Sequence, residues 1–326
     1  MRYAPNQRRI SSFVKIINFL RQARAKDQIG LMAVSFLMDI QKKIIALLKS
    51  SRTELPALPV IVHNILNAAS NDTTSTEDLA RIISYDQGIT SKLLRLANSI
   101  YYGQRSKADT IKKAIVVIGF DEIIGIVMGM AVLSAFSEKK SGLSLDIKAL
   151  WIHCIGCATA AKEIATRTNP GIAKKIFIPG LLHDMGKVIF SIYFKKEYRA
   201  VRASAIEKKK PLYRIEPERF GMDHAILAGL LMKRWSFPDN ILLPCRFHHN
   251  PEGCPVRFRH HALIINLADY LCQKANIGHS GNPVPVAVKN SLQKTGIDEA
   301  ALRMIIDQLR RKEEQIKDFF ELTIEA

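Results

Sequence analysis

Histidine and aspartate stand side by side in Gly180-Leu181-Leu182-His183-Asp184-Met185-Gly186-Lys187, at the end of an apolar approach from Ile176 to Leu182. Such a run carries the pair into buried surroundings. There a carboxylate beside an imidazole is costly unless a cation or hydrogen bonds compensate. A divalent metal is the commonest such cation, and mixed imidazole and carboxylate donors suit Zn, Fe, Mn or Ni. Two residues cannot hold an ion, so the reading depends on further donors. His153 offers one upstream, in Leu150-Trp151-Ile152-His153. Downstream stand His224 in Met222-Asp223-His224-Ala225, His248 and His249 in Phe247-His248-His249-Asn250, and Asp269 in Asn266-Leu267-Ala268-Asp269. Five histidines and two aspartates can serve one or two ions, with positions left for water.

These residues need elements that aim them at one point, and helical apolar spacing surrounds each of them. Ile147 to Thr168 reads as a helix carrying His153 and ended by Asn169-Pro170-Gly171. Ile176 to Phe194 reads as one helix through His183 and Asp184, which places Lys187 one turn beyond His183 on the same face. His224 to Trp235 is a helix, the next carries His248 and His249, and His260 to Lys274 carries Asp269. The charged stretch 195–218 covers the rim, and Asp223 and Glu218 are candidates to orient His224.

Upstream, Pro56 and Pro59 exclude helix and set a turn. Val60 to Ala69 is helical. Ser75 caps the next helix with Glu77 and Asp78 in its first turn, which suits the helix dipole. Thr110 caps Ile111 to Ile118, and Gly119 ends it. Asp121 to Phe136 is a long apolar helix whose Gly125 and Gly129 allow close packing. Asp86 and Asn98 organise turns, while Trp151 and Trp235 belong to the core. The tail, Asp298 to Leu322, is amphipathic. No stretch reads as a strand-rich domain, so the expected class is all-α.

The 326-residue chain is long enough for one large core or two modest ones. Its net charge of +18 favours anionic partners, although a solvated basic surface explains it as well. Five cysteines in no regular framework suit free thiols and a reducing compartment. Cys154-Ile155-Gly156-Cys157 reads as a tight helix contact before it reads as a redox or zinc motif. The opening residues lack a signal-peptide pattern, and the expected location is cytoplasmic. Residues 8–50 form one or two basic amphipathic helices. These either pack on the body or contact an anionic membrane, nucleic acid or a partner helix.

The order His … His-Asp … His … His-His … Asp resembles the HD superfamily of metal-dependent phosphohydrolases. The surrounding layout resembles its HDOD branch, the HD-related output domain of bacterial signalling. Leu55-Pro56-Ala57-Leu58-Pro59, Ile82-Ile83-Ser84-Tyr85-Asp86, Leu93-Leu94-Arg95-Leu96-Ala97-Asn98-Ser99 and Ala114-Ile115-Val116-Val117-Ile118-Gly119 carry that likeness. The resemblance implies two helical lobes, about 53–140 and 147–275, the second an HD-type metal-site fold. A 1–52 extension precedes them, and a 276–326 segment completes the second lobe. It also implies that His153, His183, Asp184 and Asp269 form a four-ligand core, with His224, His248 and His249 serving a second ion. One or two divalent ions are expected, of Fe, Mn, Zn, Ni or Mg. By resemblance Lys187 contacts substrate phosphate, and Asp184 and Lys187 are the candidate catalytic residues. Asn250 and the residues after it depart from the HD-GYP signature, so cyclic-di-GMP hydrolysis does not carry over. The implied role is regulatory output through a signalling protein partner. The alternative is an active phosphohydrolase or phosphodiesterase on a nucleotide, cyclic nucleotide or other phosphorylated small molecule.

Overall fold

A computed structural model describes residues 28–49, 59–69, 73–103, 107–135, 143–286 and 288–325. All regular structure among them is helical. The first helix, α1 (Gln28–Lys49), lies against the second lobe with Ile40, Ile44 and Leu47 buried. Its C-terminal turn is clamped by Arg234, whose Nη1 donates to the carbonyls of Leu47 at 3.2 Å and Leu48 at 2.5 Å. Ile40, Ile44 and Leu47 of this basic helix therefore face the molecule itself. The 8–27 half of the expected segment lies outside the described residues.

The first lobe comprises α2 (Val60–Ala69), α3 (Thr76–Ser84), α4 (Gln87–Ala97), α5 (Ile111–Ile118) and α6 (Phe120–Ala135). Local chemistry sets its boundaries. Ser75 and Asp78 form a reciprocal capping box before α3, and Asp86 accepts from Ile89 N at 2.9 Å before α4. Asn98 bonds to Ala108 through both its amide ends, closing the loop between α4 and α5. Thr110 caps α5, and Gly119 ends it at φ +103°. Glycine is suited to that left-handed backbone.

The second lobe is built on α7 (Ile147–Thr168). It continues through α8 (Phe177–Leu182), α9 (Met185–Tyr193), α10 (Lys195–Glu207), α11 (Leu212–Phe220), α12 (His224–Arg234), α13 (Asp239–Phe247) and α14 (Val256–Ala275). The expected single helix through His183 is two helices. The turn falls at His183 and Asp184, which the continuous apolar spacing did not reveal. The rim stretch is likewise two helices, α10 and α11. Buried from Leu150 to Ala161 on every side, α7 is the central rod of this lobe. It packs closely on α14, where a Cβ on Gly156 would meet Cys272 Sγ at 2.7 Å.

Glycines also join the lobes. A Cβ on Gly125 would meet Ile178 Cγ1 at 2.5 Å, and one on Gly129 would meet Leu181 Cδ2 at 2.8 Å, so α6 rests directly on α8. The C-terminal helices α15 (Lys289–Thr295), α16 (Glu299–Arg311) and α17 (Glu313–Phe320) follow. Both α16 and α17 pack on α7, and the π-turn Glu321–Glu325 reaches α4 and α6 of the first lobe. One continuous apolar core runs through both lobes. No single described helix is long and apolar enough to cross a membrane.

Candidate metal centre

All seven predicted donor residues come together in the second lobe, on five structural supports. His153 comes from the middle of α7, and Asp269 comes from α14. His183 and Asp184 occupy the break between α8 and α9. His224 is the first residue of α12, and His248 and His249 directly follow α13. Close backbone approach makes this possible. Gly186 leaves α9 room against the His224 carbonyl, into which any Cβ would collide. Gly180 sets α8 on α7, where a Cβ would meet Ala158 Cα at 2.7 Å.

Six of the seven are buried at no more than 1% exposure, and His249 is half-buried. Asp184 is the hub. Its Oδ1 lies 3.1 Å from His224 Nε2 and 3.9 Å from His248 Nε2, and its Oδ2 lies 3.4 Å from His183 Nε2 and 4.0 Å from His153 Nε2. His153 Nε2 is also 3.0 Å from Asp269 Oδ1. His224 and His249 place their Nε2 atoms 2.9 Å apart, and the His249 ring stacks on Tyr213 with centroids 4.1 Å apart.

The orientation of the rings leaves lone pairs pointing inward. His183 Nδ1 donates to Gly180 O at 2.8 Å, and His248 Nδ1 donates to Cys245 O at 2.7 Å. A carbonyl can only accept, so in the neutral rings the hydrogen sits on Nδ1 and Nε2 faces the cluster. His183 Nε2, His248 Nε2 and Asp269 Oδ2 have no hydrogen-bond partner among the described residues, and His153 Nε2 and Asp184 Oδ1 meet only other atoms of the cluster. Buried polar atoms left this way are costly, and several converging on one point is the arrangement a cation satisfies. Three groups have donor atoms within 4.8 Å of one another: His153 with His183 and Asp184, His183 with His248 and Asp269, and His224 with His248 and His249. Imidazole nitrogens with carboxylate oxygens are a donor set that fits a divalent transition ion.

Electrostatics follow the same geometry. Burial works against charge on Asp184, but His183 and Lys187 outweigh it and hold the carboxyl well below its usual range. Burial likewise opposes ionisation of Asp269, and His153 draws it down to about 2. Burial lowers His224, but Glu216 overrides it and lifts the ring to about 9. Burial, with His183 and His224 nearby, pushes His248 down to about 3.

Lys187 differs from the sequence expectation. The helix does not continue through His183, so Lys187 turns back toward Asp184. Its Nζ donates to Asp184 Oδ2 at 2.6 Å and to Ser280 O at 3.0 Å, and its side chain is fully buried. The segment after α14 closes over it. His279 N donates to Ala149 O at 2.9 Å, and Asn282 Oδ1 accepts from Leu212 N at 2.8 Å. Gly278 at φ +58° lies directly on the His153 backbone. Spacing could not show the Lys187–Ser280 contact, which spans 93 residues.

The candidates for orienting His224 are also corrected. Asp223 caps α12 through Ile226 N at 2.8 Å, and Glu218 pairs with Lys208 on the surface at 2.8 Å. Glu216 holds the His224 ring instead, at 2.6 Å. The sequence signal was weak, because Glu216 stands among other charged residues beside Pro217. His260 and His261 stay on the opening turns of α14, outside the cluster. Cys154 and Cys157 are buried free thiols in the α7 contact.

The HDOD domain profile matches residues 55–251, more than half of the chain. The chain belongs to the HDOD domain family. An HDOD domain protein of unknown function from Geobacter sulfurreducens superposes with a TM-score of 0.71 at 25% identity, over 88% of this chain and 98% of that one. A candidate signal transduction protein from Marinobacter aquaeolei VT8 gives a TM-score of 0.71 at 21% identity, over 89% of this chain and 66% of that one. An uncharacterized protein of Treponema pallidum (strain Nichols) is 24% identical over 222 residues, which are 67% of this chain. The match spans 42% of that relative's length. The shared fold is the HDOD arrangement of a helical first lobe on an HD-type lobe.

Proposed function

We propose that this HDOD protein is a cytoplasmic regulatory output module, working through contacts with a signalling protein partner. Its HD-type lobe holds one or two divalent ions as a structural or sensory element. The observation that carries this reading is the enclosure of the donor set. His153, His183, Asp184, His224, His248 and Asp269 are all exposed by 1% or less, and Lys187 is fully buried with two hydrogen bonds to protein acceptors. Donors this enclosed leave a substrate no direct approach, which suits an ion held in place more than one that turns over. His153, His183, Asp184 and Asp269 would hold one ion, and His224, His248 and His249 a second. A divalent ion there supplies positive charge that compensates the buried carboxylates, and Lewis acidity toward any phosphoester that gains access. Lys187 neutralises Asp184, while the Ser280 carbonyl keeps the ammonium inside.

The second reading is a phosphohydrolase or phosphodiesterase acting on a nucleotide or another phosphorylated small molecule. One observation favours it: His249 is half-buried at the edge of the cluster under Tyr213, with Arg214 over that ring at 5.0 Å. Movement of Tyr213 would open a basic, aromatic entrance. Lys187 and Asp184 would then be its catalytic pair, with Lys187 binding substrate phosphate after leaving Ser280.

Metal-loaded full-length chain, assayed on p-nitrophenyl phosphate, its bis-ester and a nucleotide panel, separates the two. The regulatory reading predicts bound metal and no turnover above that of Asp184→Ala. Turnover that depends on both metal and Asp184 would replace it with the hydrolase.

A further inference from the structure

His224 is oriented by different means from its neighbours. The rings of His183 and His248 are turned by carbonyls three residues earlier in their own chain segments. The His224 ring is turned by a side chain from another helix. Glu216 Oε2 accepts from His224 Nδ1 at 2.6 Å and from the His224 backbone N–H at 2.8 Å. The other oxygen, Oε1, accepts from the Tyr198 hydroxyl at 3.1 Å. Glu216, His224 and Tyr198 are all exposed by 0%. Tyr198 comes from α10 and Glu216 from α11, and neither helix bears any of the seven cluster residues.

A fully enclosed carboxylate is unfavourable unless its oxygens are satisfied. Here three hydrogen bonds satisfy both and leave the carboxylate no rotational freedom. The helix that bears it is held in turn by α1. Gln41 packs against Gly221, the left-handed residue that ends α11. Any Cβ at Gly221 would overlap the Gln41 amide.

We infer that Glu216 is the positioning residue of the His224–His248–His249 group. It fixes the tautomer and rotation of His224, so that Nε2 faces Asp184 Oδ1 at 3.1 Å and His249 Nε2 at 2.9 Å. A carboxylate accepting from Nδ1 keeps the hydrogen on that nitrogen and makes the opposite nitrogen a better donor to an ion. Glu216 thereby sets the affinity of this group for its ion and leaves the His153–His183–Asp184 group unchanged. Through α11, that affinity also depends on α1, which precedes the residues matched by the family profile. The inference rests on the metal reading proposed above, and it goes further by making the two ion positions unequal.

The test is titration of the metal-stripped, full-length chain with Co2+. Its visible absorption counts bound ions and reports imidazole ligation, while circular dichroism follows the fold. Wild type is expected to take up two ions. Glu216→Ala should bind one ion as wild type does and the other about 10- to 100-fold more weakly. Glu216→Gln keeps an acceptor for both His224 donors and should recover part of that loss. Glu216→Met fills the space without an acceptor and should not recover it. The Gln and Met variants decide the matter even if Glu216→Ala fails to fold. Equal weakening of both ions, or equal behaviour of Gln and Met, overturns the inference. Wild type that takes up two ions, with all three variants unchanged, overturns this inference alone. Wild type that takes up none overturns the metal reading together with it.

Discussion

In the first lobe, the inward-reaching acid Glu122 stays at the boundary with the second. It is 6% exposed, receives a hydrogen bond from Tyr102 at 2.8 Å and pairs with Lys162 of α7 at 2.5 Å. Around it α6 is almost wholly apolar, and Ser75, Asp86 and Thr110 of this lobe serve as helix caps. The second lobe instead encloses His153, His183, Asp184, Lys187, Glu216, His224, His248 and Asp269 at 1% exposure or less. The two lobes share one continuous apolar core, so scarcity of apolar residues does not account for the buried charge. A set of charges that folding alone does not require is evidence of a site. It also predicts that the two lobes will respond differently to the same kinds of perturbation.

The largest difference should come from Asp184→Ala. It strands the fully buried Lys187 ammonium, and breaking such a pair costs about 3–5 kcal/mol. Urea unfolding would show it as a lower midpoint. Asp184→Asn should do nearly as much, because the charge on Lys187 stays uncompensated. A loss below about 1 kcal/mol would mean that the pair is not closed in solution.

Chelation comes next. An ion bound only by the native state stabilises it by about 2.7 kcal/mol when present at a hundred times its Kd. Stripping metal should therefore lower the thermal midpoint of wild type by more than that of a His183→Ala/Asp184→Ala double variant, which lacks two ligands of the first ion.

Acidity acts on the stripped protein with a definite sign. His248 is held down to about 3 when folded, so its neutral form is favoured in the native state. The stability this contributes is present above the ordinary histidine value of about 6.5 and is lost as pH falls from there toward about 3. His224 has the opposite sign. Its folded value of about 9 gives a contribution that is complete below about 6.5 and fades as pH rises through about 9. The metal-free protein should thus be most stable between these limbs. Equilibrium unfolding from pH 4 to 10 measures it, and a monotonic profile would contradict the assigned environments of the two rings.

These perturbations act on residues whose legibility in the sequence varied for physical reasons. His183 and Asp184 announce themselves because two chain neighbours of complementary chemistry end an apolar run. The capped helices of the first lobe are equally legible, since Ser75, Thr110 and Gly119 do their work within a few residues of their own positions. The break at His183–Asp184 is hidden because apolar spacing runs on through it. Glu216 is hidden because Glu218 and Asp223 are as acidic and as near in sequence, and only the docking of α11 on α12 selects among them. The closure of Lys187 depends on Ser280, a contact between distant segments that no periodicity encodes.

Packing and capping changes should rank lower. Gly180→Ala drives a methyl into the α7 backbone at Ala158 and should cost about 1–3 kcal/mol, with weaker metal uptake because α8 delivers His183. Thr110→Ala in the first lobe removes one cap bond and should cost about 1 kcal/mol without touching metal content. If the two changes altered metal content equally, the contrast between the lobes would fail.

The most direct measurement of the central claim is the metal content of full-length protein, purified without chelator or histidine tag and determined by mass spectrometry of the elements. The account predicts about two divalent transition ions per chain, with the ion of the His153–His183–Asp184 group lost in the His183→Ala/Asp184→Ala variant. A folded wild-type protein with no bound ion, and none taken up from Co2+, Mn2+ or Zn2+, would contradict it.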